Sequence, residues 1–163
     1  MKLSPETRSR LIIYGTFLVA LVLAVMPMPE WAHGFRPDWL ALTLIYWCMA
    51  APQRVGVGTG WAVGLLLDVL YGSILGQNAL AKTIIAYLTV RLHLQLRMFP
   101  MVQQALSVFA LLALNQFIAI WMQSLAGQKP ETLTYLTPLV VGAVIWPWLF
   151  VILRDVRRRL RVA

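Results

Sequence analysis

Long apolar runs separated by short polar or proline-containing segments dominate the chain. Six such runs cover residues 11–26, 37–51, 55–71, 78–96, 101–125 and 138–153. Apolar runs that approach about 20 residues are typical of transmembrane helices, because a helix of that length crosses the hydrocarbon core of a bilayer. The pattern therefore predicts an all-α, polytopic membrane protein with six transmembrane helices in a single domain, followed by a basic tail over residues 154–163.

The second run is the shortest of the six. A helix over residues 37–51 is about 22 Å long, against about 30 Å of hydrocarbon. Pro37 and Asp38 favour a helix start there, since both residue types are common in the first turn. The sequence leaves open whether this helix crosses the bilayer fully, thins it locally or leans on longer neighbours.

Charged residues indicate how the chain is oriented. Eleven of the fourteen Lys and Arg residues fall in segments that a six-span topology places inside, two fall in outer loops, and Lys82 lies within a span. Both termini are therefore expected to be cytoplasmic. A five-span alternative without the second helix would put the N-terminal basic cluster or the arginine-rich tail on the outer side, against this rule. The first run is expected to be retained, because residues 27–31 offer no signal-peptidase site of small residues.

Composition excludes several classes of protein. With 60% hydrophobic and 12% charged residues, the 163-residue chain has too little polar surface for a soluble globule. Its net charge of +8 lies in short loops and tails, so positive-inside topology explains it better than a nucleic-acid site. Membrane lipid, and no nucleic acid, is the expected contact.

The third run carries a ridge of small residues. Gly56, Gly60, Gly64, Asp68 and Gly72 recur every four positions, so on a helix they form one continuous face. Glycines spaced this way let a second helix approach closely in lipid. The ridge is therefore predicted to be a helix-packing surface, either within the subunit or against another chain, including a second copy in a homodimer.

Asp68 and Lys82 lie about one helical turn inside the third and fourth runs, on either side of the same turn. Because charges inside a membrane are costly, the two are predicted to form an intramembrane ion pair. Two alternatives stay open: independent solvated groups near the outer end, or a substrate or ion site. Asn78, Asn115 and Gln116 are predicted to add hydrogen bonds between helices.

The C-terminal tail has a cationic face. Arg154, Arg157, Arg158 and Arg161 follow helical spacing. We expect this face to anchor the topology and contact anionic lipid, with a cytoplasmic protein partner as the alternative.

The sequence carries no familiar motif of catalysis or metal binding. The sequence contains no G-x-S-x-G, H-E-x-x-H or P-loop pattern. His33 and His93 lie on opposite predicted faces, and Cys48 is a single cysteine within an apolar run. The sequence therefore predicts a non-enzymatic protein without a cofactor or a metal.

Several local motifs, spread in order over nearly the whole chain, resemble one known family. They are Phe35-Arg36-Pro37-Asp38-Trp39, Tyr46-Trp47, residues 52–60, Leu67-Asp68, Gly72-Ser73, Leu75-Gly76 and Trp146-Pro147-Trp148. The chain is similar in these motifs, in length and in its charged tail to the rod shape-determining MreD family, and most similar to its proteobacterial branch.

This resemblance implies an inner-membrane scaffold or regulatory subunit of the cell-elongation (rod) complex. Such a subunit would bind MreC directly and act beside MreB, RodA and a class B penicillin-binding transpeptidase, helping to control cell shape and lateral peptidoglycan synthesis. The family also resembles, in fold, the substrate-binding components of energy-coupling factor transporters. The alternative function is therefore a small-molecule-binding subunit of a transporter, with an outer pocket lined by Asp68, Lys82, Asn78, Trp39 and Tyr71.

Overall fold

The computed structural model describes residues 4–27, 29, 37–72, 75–127 and 136–159, and these residues form seven helices and no strand. The helices are α1 (Pro5–Val25), α2 (Trp39–Ala50), α3 (Val57–Tyr71), α4 (Gln77–Arg91), α5 (His93–Met98), α6 (Met101–Leu125) and α7 (Leu136–Arg159). The prediction of an all-α protein is confirmed for this part of the chain.

Within the described ranges, three helices are long and apolar enough to cross a membrane. They are α1, α6 and the Thr137–Arg159 part of α7, whereas α2 and α3 are apolar but shorter. These lengths fit a membrane protein. The number of six spans stays a prediction.

The shortest of the apolar helices lies at the centre of the bundle. Every α2 residue from Leu40 to Met49 is buried, and α2 packs against α1, α4, α5 and α7. A helix that is apolar on all sides needs to be surrounded, and here the surroundings are other helices of the same chain. The 37–51 run therefore forms a core helix.

Two predicted segments differ from the helices that form. The run 78–96 is divided between α4 and α5 at Leu92, whose backbone (φ −104°, ψ 11°) leaves the helical region. The helix at the C-terminal end continues through the predicted tail to Arg159, with Pro147 inside it. Arg154, Arg157 and Arg158 are therefore helical, and Arg161 lies outside the described residues.

The middle of the glycine ridge lies at the contact between α3 and α4, which is the most extensive contact among the seven helices described. A Cβ atom on Gly60 would lie 2.8 Å from the backbone oxygen of Lys82, and one on Gly64 would lie 2.5 Å from that of Asn78. The ends of the ridge differ, since a Cβ on Gly56 or Gly72 would meet nothing within 4 Å. Gly60 and Gly64 therefore pack against a helix of the same subunit, which was one of the two alternatives predicted for the ridge.

Candidate functional site

A closed polar triangle joins α2, α4 and α6 inside the bundle. The Lys82 ammonium donates to Asp38 Oδ2 at 2.7 Å and to Asn115 Oδ1 at 3.0 Å. The Asn115 amide donates in turn to Asp38 Oδ2 at 3.1 Å. Each of the three side chains thus contacts the other two, and one cluster ties three helices together.

Asp38 is fixed in this position by the start of α2. Its Oδ1 atom accepts a hydrogen bond from the backbone N–H of Ala41 at 3.1 Å, which caps the helix. The other carboxylate oxygen is then directed at Lys82. The Lys82 side chain is 0% exposed and that of Asp38 is 30% exposed, so the triangle is closed on the lysine side and open on the aspartate side.

The prediction that Lys82 pairs with Asp68 was wrong, because the salt bridge to Lys82 is made by Asp38. Asp68 is 1% exposed and accepts backbone N–H groups of the α4 N-terminus: Gly76 and Asn78 at 2.9 Å, and Ala79 at 3.3 Å. Those N–H groups lack partners within their own helix, and Gly76 has no side chain with which to cap them. Asp68 therefore caps α4 from α3.

The residues of the predicted polar network, Asn78, Asn115 and Gln116, do not form a single cluster. The Asn78 amide donates to Asp68 Oδ1 at 3.0 Å, whereas Asn115 belongs to the Lys82 triangle. Gln116 is only partly buried. It follows Asn115 directly on α6 and is turned by about 100° to another face.

Sequence reasoning missed a second buried cluster, which joins α6 to α7. The indole N–H of Trp146 donates to Gln104 Oε1 at 3.0 Å, and the Gln104 amide donates to the backbone oxygen of Leu96 at 3.0 Å. The sequence did contain a signal for this cluster. Gln104 precedes Asn115 by eleven residues, about three helical turns, so the two polar residues lie on the same face of α6. A buried tryptophan also needs an acceptor for its N–H.

The Lys82 triangle and the Asp68 cap hold helices in place and contain no activated nucleophile. Among the described residues, no group of three or more His, Cys, Asp or Glu side chains is arranged to hold a metal ion. The ammonium of Lys82 and the carboxylate of Asp68 are enclosed by their own protein partners. A ligand in the expected outer pocket would have to displace those partners.

Two apolar cavities flank α1. One, of about 590 Å³, lies between α1, α2 and α7, and we call it the α1–α7 groove. It is lined by Ile12, Gly15, Thr16, Val19, Ala20, Leu23, Trp39, Thr43, Leu149, Ile152, Leu153 and Val156. The other, of about 450 Å³, lies between α1, α2 and α3. Part of the α1 surface therefore borders open apolar space on two sides.

Comparison with known proteins identifies the family of this chain. The profile of the family described as rod shape-determining protein MreD matches residues 7–156, nearly the whole chain. The chain belongs to the MreD family. It is also 31% identical over 154 residues to the rod shape-determining protein MreD of Haemophilus influenzae, covering 92% of this chain and 93% of that protein. No solved structure matches the chain.

Membership of the MreD family supports a role in rod shape determination, and the H. influenzae relative confirms the predicted proteobacterial likeness. The matched residues contain all three members of the Lys82 triangle and both residues of the Asp68–Asn78 contact. The buried polar groups are thus part of the MreD-like region of the chain.

Proposed function

We propose that this protein is a non-enzymatic scaffold of the bacterial rod complex, with six spans in the inner membrane and both termini in the cytoplasm. In this role it binds MreC, acts beside MreB, RodA and a class B penicillin-binding transpeptidase, and helps to control lateral peptidoglycan synthesis. The family membership supports the role in cell shape. The internal use of its buried polar groups supports a scaffold over a ligand-binding subunit.

The observation that carries this proposal is the α1–α7 groove. Its α1 wall runs from Ile12 to Leu23, about 16 Å at 1.5 Å per residue. The wall includes Gly15, where an added Cβ would meet nothing within 4 Å. Helices associate in lipid through close backbone approach at small residues, because no hydrophobic effect drives them together there.

We assign the groove to the single transmembrane helix of MreC. The α7 wall of the groove is apolar throughout, and the groove's two threonines are Thr16 on α1 and Thr43 on α2. The Thr16 hydroxyl already accepts a hydrogen bond from the Trp47 indole and donates one to the backbone oxygen of Ile13. A partner helix therefore needs no polar group to satisfy it. This surface replaces the glycine ridge as the proposed partner site, since α4 covers Gly60 and Gly64.

Co-purification with MreC tests the assignment. In Gly15→Leu the new side chain would start in the groove at a point where its Cβ atom has no neighbour within 4 Å. We expect it to reduce recovery of MreC by about tenfold, corresponding to loss of about 1.4 kcal/mol of packing. The matched control is Gly58→Leu, since Gly58 also has open space for a Cβ but lines the other cavity.

Both variants should elute as monodisperse, folded protein. Equal MreC recovery from Gly15→Leu and wild type would contradict the groove assignment. Loss of MreC from Gly58→Leu alone would move the interface to the α1–α3 side. A groove filled by a second copy of this chain would instead lower the oligomeric mass of Gly15→Leu without changing MreC recovery.

A further inference from the structure

A small basic cavity lies where α2, α5 and the last part of α7 meet. It has a volume of about 120 Å³ and is lined by three arginines, Arg97 from α5 and Arg154 and Arg157 from α7. Tyr46 of α2 and Phe150 of α7 also line it. Helices that are distant in sequence thus bring three guanidinium groups around one cavity.

Arg154 is held in place and is left with an unused donor. Its guanidinium lies 5.8 Å from the centroid of the Phe150 ring, within cation–π range. Its Nε atom is buried, with no hydrogen-bond partner among the described residues. A buried donor without a partner costs free energy, so the protein does not fully meet the hydrogen-bonding capacity of this arginine.

The charges around the cavity are not balanced by its walls. No acidic residue is among the described residues that line it. The neighbouring Asp155 is exposed on α7 and is not part of the lining. Three like charges near one cavity repel each other, and an anion between them would remove that repulsion.

We propose that this cavity binds a phosphate group. Guanidinium groups match phosphate oxygens with paired N–H donors, and three arginines supply more donors than a carboxylate can accept. With about 120 Å³, the cavity is much smaller than the two apolar cavities beside α1, and this size suits a small anion such as a single phosphate group. The group comes from an anionic lipid headgroup or from soluble phosphate.

A bound phosphate would connect α7 to α5. It would bridge Arg97 to Arg154 and Arg157, adding a charged contact at the end of the bundle that carries most of the α7 arginines. This role is independent of MreC binding, because the α1–α7 groove and the basic cavity share no lining residue.

Lipid binding to the full chain tests the proposal. Native mass spectrometry from detergent would compare phosphatidylglycerol with phosphatidylcholine for wild type, Arg157→Gln and Arg97→Gln. Wild type should prefer phosphatidylglycerol, because the choline group adds a like charge. Each variant should lose about tenfold to a hundredfold in affinity for it, as expected when a charged hydrogen bond is removed.

The matched control is Arg158→Gln, which removes an exposed arginine of α7 that does not line the cavity. In a parallel arm, inorganic phosphate is added and the melting temperature is recorded for the same four proteins. Stabilisation of wild type and Arg158→Gln by phosphate, without a preference for phosphatidylglycerol, would identify a soluble source. Equal behaviour of Arg157→Gln, Arg97→Gln and Arg158→Gln in both arms would overturn the proposal, as would absence of binding by wild type.

Discussion

At the scale of single residues, the main feature of the structure is that Asp38, and not Asp68, neutralises the buried Lys82. A buried ammonium is tolerated when it is paired and fully hydrogen-bonded, and removing one member of such a pair leaves a costly buried charge. Asp38 and Asn115 supply that environment at 2.7 Å and 3.0 Å. Asp68 is occupied with the N-terminus of α4 instead.

A double-mutant cycle distinguishes the two carboxylates. Asp38→Asn keeps a side chain that caps α2 but removes the charge, and Lys82→Met removes the ammonium. We expect a coupling free energy of about 1–3 kcal/mol between these two changes, because the residues are in direct contact. The measurement is equilibrium unfolding in mixed detergent micelles.

The cycle with Asp68→Asn and Lys82→Met is the control. Its coupling should be clearly smaller, since each of these residues has its own set of partners. A larger coupling for Asp68 than for Asp38 would contradict the observed pairing.

Sequence reasoning identified Lys82, Asp68, Asn78 and Asn115 as buried polar residues that need partners, but it did not pair them correctly. The prediction paired Asp68 with Lys82 because the two lie at a similar depth in the membrane. Asp38 lies at the start of its helix and Asp68 near the end of its own, so depth alone does not distinguish the two carboxylates. Which of two carboxylates reaches Lys82 depends on how α2 and α4 pack, and that packing is a tertiary property. The helix-cap role of Asp68 was missed for the same reason.

At the scale of helices, small residues decide where two backbones meet. Gly60 and Gly64 let α3 lie directly against α4, whereas Gly58 on the same helix faces open space. Glycine inside a helix is unfavourable unless close packing requires it. The two kinds of glycine should therefore respond oppositely to a methyl group.

Gly58→Ala is expected to stabilise the protein by about 0.5–1 kcal/mol, because alanine is the better helix former. Gly64→Ala should destabilise it by about 1–3 kcal/mol, because the new Cβ meets the α4 backbone. Unfolding of the two variants side by side in the same detergent checks both signs. A neutral or stabilising Gly64→Ala would mean that α3 and α4 are not in close contact there.

Helix positions were partly predictable from the pattern of apolar runs. The predicted limits of the fifth run, Met101 and Leu125, are those of α6, since Pro100 and the polar residues beyond Leu125 mark both ends. The break at Leu92 was not predicted, because no glycine or proline marks it. The central position of α2 could not be read from its sequence, as an apolar run looks alike whether protein or lipid surrounds it.

At the scale of the whole molecule, several buried polar groups of an apolar core bind one another, and an apolar groove beside α1 is left open. The MreD family membership connects this architecture to rod shape determination. The scaffold role that we propose requires a surface that accepts another helix without reorganising the core, and we assign that function to the α1–α7 groove.

Site-specific photo-crosslinking in cells would show whether MreC occupies the α1–α7 groove. A photoreactive amino acid would replace Val19, which is exposed in the groove, or Phe117, which is exposed on α6 and lines neither cavity beside α1. If MreC occupies the groove, a crosslink to MreC is expected from position 19 and none from position 117. A crosslink from position 117, with none from position 19, would contradict this assignment.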